Sequence, residues 1–257
     1  MTLCNADVTG VREVAQGVYV LSFRNPEVAR TVLPGQFLNL RVHEGLDPFL
    51  RRPFSVYRVE KDVVEIIFQV IGKGTAILAG KKRGDVVNIL GPLGVPFGIG
   101  GEFTKAILIA GGLGIAPMPI LGEHLRKAGK RVEIFVGART VGQLALHHLK
   151  SPHVATDDGS RGFHGTVVAL VESYFKEHPQ TDAKVFACGP TRMLEAVSRF
   201  AQASFLPCEL SLEGEMACGI GICQGCPVER INAERRYALV CTEGPTFDCT
   251  TIRLREA

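Results

Sequence analysis

A β + α/β chain in three parts is predicted: an N-terminal antiparallel β-barrel over residues 1–98, a doubly wound α/β domain over 99–206, and a small cysteine-rich module over 207–257. Three observations predict it. Short runs rich in β-branched and aromatic residues recur at turn-sized spacing through the first part. From Lys105 the rhythm changes to apolar strand, glycine turn, helix and strand. Cys208, Cys218, Cys223, Cys226, Cys241 and Cys249 crowd the end of a chain that has 8 cysteines in 257 residues.

In the first part, strands are expected at 17–23, 36–42, 54–59 and 63–70, with 86–90 closing the barrel. Pro34-Gly35, Lys61-Asp62 and Gly72-Lys73-Gly74 punctuate them, and the glycine- and proline-rich stretch 91–101 reads as a domain boundary. In the second part a buried strand at 106–110 runs into the turn Gly111 to Gly114. A helix follows over about 116–128, with Pro117 suited to its first turn. A second buried strand is expected at 132–136, a helix at 166–175, a strand at 184–188 and a helix at 193–203. After Pro207 neither pattern is expected to continue.

Composition excludes several classes. With 29 Lys and Arg against 26 Asp and Glu, the formal charge of +3 gives no broad positive field for nucleic acid. A hydrophobic share of 46% with 21% charged residues is that of a folded globule rather than a disordered chain. The uncharged stretch 106–121 is broken by Gly111, Gly112, Gly114, Pro117 and Pro119 and is too short to span a bilayer. Asp7, Arg12 and Glu13 stand where a secretory signal would be apolar, so a cytoplasmic location is expected. In that reducing compartment, clustered cysteines bind metal or carry redox chemistry more often than they form disulfides.

The most specific motif is Cys218-x4-Cys223-x2-Cys226 followed, after fourteen residues, by Cys241. Four thiolates at this spacing match a plant-type [2Fe-2S] cluster. Gly219, Gly221 and Gly225 would let backbone N–H groups turn toward the cluster sulfurs. The competing reading is a four-cysteine zinc site, although zinc sites favour two separated C-x2-C pairs and only one is present here. Cys208 and Cys249 lie outside the spacing and read as small buried hydrophobes.

Other motifs are ambiguous alone. Gly111-Gly112-Leu113-Gly114 sits between strand and helix, where bare N–H groups suit a pyrophosphate. The third fingerprint glycine is replaced by Pro117, and no acid ends the second strand, where Gly137-Ala138-Arg139-Thr140 stands; a purely structural turn remains open. Arg52-Pro53-Phe54-Ser55 offers a forked donor and a hydroxyl to phosphate oxygens, or is an ordinary surface strand. Gly72-Lys73-Gly74-Thr75 is a hairpin turn or a phosphate nest opening a helix.

Taken in order, these motifs resemble the ferredoxin–NADP reductase superfamily. They include Gly91-Pro92-Leu93-Gly94 at the boundary and Cys188-Gly189-Pro190 followed by Met193. With the C-terminal cysteine motif, Gly35-Gln36-Phe37, Thr156-Asp157-Asp158-Gly159-Ser160 and Cys241-x-x-Gly244-Pro245-x-Phe247, essentially the whole chain resembles the electron-transfer subunits of class 1B dihydroorotate dehydrogenases. One departure is Gln224-Gly225 before Pro227, where a more apolar stretch is expected.

The resemblance implies an FAD-binding barrel, an NAD-binding α/β domain and a [2Fe-2S] module. FAD would be held by Arg52, Pro53, Phe54 and Ser55, by Ile67, Phe68 and Gln69 along the flavin, and by Gly74 and Thr75 at the phosphates. NAD would meet Gly112, Gly114, Cys188, Gly189 and Pro190. The cluster ligands would be Cys218, Cys223, Cys226 and Cys241, and no catalytic acid or base is expected. The implied partner is an FMN-containing dihydroorotate dehydrogenase catalytic subunit in a two-plus-two heterotetramer, with no nucleic acid and no membrane. Electrons would pass from FMN through the cluster and FAD to NAD+ in pyrimidine biosynthesis. The alternatives are a reductase subunit of another redox complex, sulfhydrogenase-like or ferredoxin–NADP oxidoreductase-like, and a zinc-stabilised regulatory module.

Overall fold

A computed structural model describes residues 1–179 and 181–254; the last three residues of the expected cysteine module lie outside the described residues. The first part is a closed six-stranded barrel in the order β1 (Thr2–Ala15), β2 (Val18–Arg24), β5 (Val63–Gln69), β4 (Arg52–Glu60), β3 (Phe37–Arg41) and β6 (Val86–Leu93), all neighbours antiparallel. Helix α1 (Pro26–Thr31) starts at Asn25, whose side chain accepts the Val28 N–H, and has proline in its first turn. Helix α2 (Lys73–Ala79) follows β5.

Closure depends on a strand the sequence pattern did not reveal. β1 pairs with both β2 and β6, but Asn5, Asp7, Gly10, Arg12 and Glu13 interrupt any aromatic or β-branched run, and register shifts break its regular alternation. Its apolar positions Ala6 and Val8 nevertheless enter a barrel core with Leu21, Phe23, Leu38, Leu40, Ile66 and Ile89. Burying each large side chain fully is worth roughly 1.5–3 kcal/mol.

The second part is a seven-stranded sheet in the order β10 (Phe163–His164), β9 (His153–Thr156), β8 (Arg131–Ala138), β7 (Lys105–Gly111), β11 (Ala183–Cys188), β12 (Cys208–Ser211) and β15 (Thr246–Asp248). It is parallel except at the β15 edge. Every residue of β7 is buried, as a central parallel strand covered on both faces requires. Helices α3 (Met118–Lys127), α4 (Val167–Glu177) and α5 (Thr191–Ala203) flank the sheet. α5 buries Leu194, Val197, Ser198 and Ala201, the i, i+3, i+4, i+7 stripe of an amphipathic helix.

The expected change of pattern at Pro207 differs from what the fold shows. β12 runs parallel to β11 and continues the sheet, and β15 pairs against β12. Four- and three-residue strands are too short to declare a period in the sequence. Between them hang the cysteine loop, helix α6 (Val240–Glu243), and a small sheet of β14 (Tyr237–Leu239), β13 (Pro227–Arg230) and β16 (Ile252–Arg253).

One apolar cluster joins barrel and sheet: Val18, Val20, Tyr57 and Ile67 pack with Ala106, Leu108, Ala110, Ile115 and Phe186. Among the described residues no helix is long and apolar enough to cross a membrane.

Candidate functional site

Chain direction reverses about β7: the sequence proceeds outward through β8, β9 and β10, then returns to β11 and β12 on the other side. Such a switch point leaves a crevice at the carboxyl ends of the strands. Here it is a cavity of about 600 Å³ lined by Gly111 ending β7 and Gly112 after it, Gly137 to Arg139 at the end of β8, Gln143, Asp157, Thr166 to Val168, and Pro190, Arg192 and Met193 opening α5.

Of the residues expected to meet NAD, Gly112 and Pro190 line this cavity, whereas Gly114, Cys188 and Gly189 lie outside its lining. Gly114 is pressed so closely on the end of β11 that a Cβ would stand 2.0 Å from the Cys188 carbonyl oxygen. The Cys188 thiol is buried, and burial pushes it well above the ordinary thiol range, with Glu213 adding to the effect.

No acid ends β8, where Gly137-Ala138-Arg139-Thr140 stands. An acid follows the next strand: the N–H of Asp157, just after β9, donates to the Ala138 carbonyl at 3.0 Å and brings the residue beside the end of β8. The run Thr156-Asp157-Asp158-Gly159-Ser160 carried the signal, but its strand of four residues was too short to be read as one.

A second cavity, about 380 Å³, opens where the three parts meet. Pro53, Phe54 and Ser55 of β4, Ile67, Phe68 and Gln69 of β5, and Thr75 of α2 line it together, as do Phe37, Ile71, Leu113 and Ala116. The cysteine part contributes Pro245, which belongs to the Cys241-x-x-Gly244-Pro245 motif, and Leu212, Glu213, Gly214 and Met216, which no local sequence pattern marks. Arg52 and Gly74 are not in this lining; a Cβ on Gly74 would lie 3.4 Å from Arg52 Nε, so the two sit side by side next to Thr75. The Thr75 hydroxyl oxygen accepts the N–H groups of Ile71 and Gly72, so it caps α2.

The cysteine loop packs on the barrel. Asn39 Nδ2 of β3 donates to the Cys218 carbonyl at 3.0 Å, and Gly219, at φ +72, leaves no room for a side chain because a Cβ would meet that same Asn39 nitrogen at 2.6 Å. Cys218 Sγ accepts N–H groups from Ile220 (3.5 Å) and Cys223 (3.4 Å), which bring its thiol down to about 6. Cys226 and Cys241 are buried in an apolar cluster with Phe37, Leu93 and Val240. Burial and the adjoining Cys226 thiol push Cys241 up to about 11. Cys223 is exposed. Gln224, at φ +57, donates from its side chain to the Gly221 carbonyl at 2.6 Å, so this departure from the expected apolar stretch pins the loop's own turn.

Among the described residues no three His, Cys, Asp or Glu side chains converge as a single-ion site would require. The donor set itself fits an iron–sulfur cluster: four thiols, two of them buried, with backbone N–H groups already directed at sulfur. Cys208 and Cys249 lie apart from the loop, both buried, with the Cys249 N–H donating to the Cys208 carbonyl at 3.0 Å.

A barrel and a parallel sheet that enclose a cavity against a four-cysteine loop define an oxidoreductase subunit of the ferredoxin–NADP reductase type. The family model for the iron-sulfur cluster binding domain of dihydroorotate dehydrogenase B matches residues 213–253. The chain is 37% identical over 255 residues to the dihydroorotate dehydrogenase B (NAD(+)) electron transfer subunit of Desulforamulus reducens, covering 95% of each. To the same subunit of Bacillus caldolyticus it is 36% identical over 249 residues, covering 93% of this chain and 94% of the relative. The solved NADH-dependent reduced ferredoxin-NADP oxidoreductase superposes with a TM-score of 0.86 at 27% identity, covering 97% of this chain and 90% of the other. The chain belongs to the family of electron transfer subunits of NAD(+)-dependent dihydroorotate dehydrogenase B.

Proposed function

We propose that this chain takes electrons from the FMN of a dihydroorotate dehydrogenase catalytic subunit and passes them through a [2Fe-2S] cluster and FAD to NAD+, in pyrimidine biosynthesis. The observation that carries the reading is the position of Phe37. It lines the cavity at the barrel and also belongs to the apolar cluster that contains Cys226 and Cys241. The cysteine loop and the flavin-sized cavity therefore share a wall. When bound, FAD supplies the conversion between single-electron exchange with a cluster and two-electron exchange with nicotinamide.

The chain's own groups then have distinct tasks. Pro53, Phe54, Ser55, Ile67, Phe68 and Gln69 form an apolar slot with one hydroxyl and one amide for the flavin ring. Arg52 of β4 lies beside Gly74 in the first turn of α2, where a guanidinium and close backbone suit phosphate oxygens. Gly112 and Pro190 flank the dinucleotide cavity, with Gly114 and Gly189 packed behind them and the neutral Cys188 thiol below. Asp157 is the group that suits a ribose diol, because a carboxylate accepts hydrogen bonds from hydroxyls and repels a 2′-phosphate. Arg139 lines the same cavity.

Cys223 and its neighbour Ile222, 77% exposed, put the outer face of the cysteine loop at the surface. That is where a catalytic subunit would dock, and the assembly we propose is a cytoplasmic two-plus-two heterotetramer. The resemblance to the ferredoxin-NADP oxidoreductase favours a second reading, a reductase subunit of a different complex.

Co-expression with an FMN-containing dihydroorotate dehydrogenase subunit separates the two. Copurification, flavin and cluster absorption bands, and bleaching of the FAD of this chain by dihydroorotate are expected. Failure to copurify together with an unreduced FAD would sink the pyrimidine assignment. A colourless chain containing zinc would sink both redox readings.

A further inference from the structure

One buried carboxylate has no part in the reading above. Glu65 on β5 is 6% exposed, and a charge at that depth is costly unless paired and hydrogen-bonded. Its partners come from three segments. Glu65 Oε1 accepts from Ser22 Oγ of β2 at 3.0 Å and from Arg12 Nη2 of β1 at 3.2 Å. Oε2 accepts no aligned hydrogen bond and faces Nε2 of His148, in the α/β part, at 3.1 Å. His148 takes φ +65, which residues with a side chain seldom adopt, so the chain bends sharply where it reaches the carboxylate. Next to it the buried Tyr57 hydroxyl of β4 donates to the His147 carbonyl. Two successive residues of the α/β part are thus gripped by the barrel.

The location of this grip gives it meaning. Side chains alternate along a strand, so Glu65, Ile67 and Gln69 share a face of β5, and Ile67 and Gln69 line the flavin-sized cavity. On the other side, the segment that ends at His148 begins with Arg139 and Gln143, which wall the dinucleotide cavity. Leu144 and Ala145, between them, enter the apolar cluster common to barrel and sheet. A single carboxylate connects the strand beneath one cavity with the segment that walls the other.

We propose that Glu65 is a positioning residue: through His148 it fixes how the dinucleotide cavity faces the flavin cavity, and so the approach of the two reacting rings. The apolar cluster holds barrel and sheet together, but hydrophobic contact is non-directional. The hydrogen bonds of the Arg12 guanidinium to Glu65 Oε1 and of the Tyr57 hydroxyl to the His147 carbonyl are directional, and the same Arg12 Nη2 stands 3.2 Å from His148 Nε2. Hydride transfer is sensitive to displacements of about 1 Å, which can cost up to about a hundredfold in rate. The inference rests on the assignment of the two cavities to FAD and NAD.

The test uses the full chain with its cofactors and the variants Glu65→Gln and His148→Gln. Each is expected to slow flavin reduction at saturating NADH by about tenfold while the NADH half-saturation stays within about twofold. The double variant is expected to be no slower than either single one, since both cut the same link. A second readout needs no NADH: amide hydrogen exchange of residues 144–149 should rise at least about tenfold, with β2 and β5 still protected. Flavin reduction at the parent rate, additive losses, or unchanged exchange would overturn the proposal. If NADH does not reduce even the parent flavin, the functional reading fails, and the exchange measurement alone decides the role of Glu65. Should Glu65→Gln not fold, His148→Gln decides by the same readouts.

Discussion

Gly114 stands with its α-carbon directly against the main chain of Cys188, so that even a methyl group there would lie 2.0 Å from the Cys188 carbonyl oxygen. The turn after β7 can reach the end of β11 only with glycine at this point. Gly112, two residues earlier, has open space around it and needs glycine only for its φ of +55. Gly114→Ala is therefore expected to cost about 3 kcal/mol or more, through forced backbone movement, and to abolish NADH binding. Gly112→Ala should cost about 1 kcal/mol. Urea unfolding of the two variants checks this; equal losses would show that the close approach to β11 does not govern the turn.

Asp157 gives the second prediction. Its carboxylate lines the dinucleotide cavity beside Arg139, and removing the negative charge removes the repulsion toward a 2′-phosphate. Asp157→Asn should lower the preference for NADH over NADPH by about tenfold, equivalent to about 1.4 kcal/mol. The ratio of kcat/KM for the two nucleotides measures it. An unchanged ratio would assign discrimination elsewhere in the cavity.

Cys188 gives a dependence on pH. Its folded thiol is raised by burial, and the Ser211 hydroxyl and the Gly189 N–H offset only part of that. An unfolded thiol titrates near about 8.5. The stabilising contribution is complete below that value. It is lost as pH rises, because the unfolded chain then releases a proton that the folded chain keeps, at up to about 1.4 kcal/mol per pH unit. Urea stability of the parent should fall more steeply above about pH 8.5 than that of Cys188→Ala. Alkylation of Cys188 by iodoacetamide in the folded chain near that pH would contradict it.

The cysteine spacing was legible because four thiolates at fixed intervals carry their chemistry locally. The glycine turn is legible because the apolar run Ala106 to Ala110 of β7 leads straight into Gly111 and Gly112. The resemblance supplied the flavin side, and Pro53 to Ser55, Ile67 to Gln69 and Thr75 do come together around one cavity. What the sequence hid depends on pairing at a distance. β1 closes the barrel through two partners rather than through its own pattern. β12 and β15 are too short to show a period. Leu212, Glu213, Gly214 and Met216 reach the cavity at the barrel by following β12, which pairs with β11. Asp157 comes beside the end of β8 only through the pairing of β8 with β9, which the sequence alone does not show.

The proposed order of carriers is tested by replacing Cys223, the exposed cysteine of the loop. Cys223 lies at the surface of the loop, away from the apolar cluster that holds Cys226 and Cys241, so Cys223→Ser should remove the cluster and leave the flavin cavity intact. In the complex with the catalytic subunit, we measure NAD+ reduction driven by dihydroorotate alongside NADH oxidation by an artificial two-electron acceptor. The first is expected to fall below about a hundredth of the parent rate while the second is retained. Equal loss of both activities, or survival of both, would contradict it.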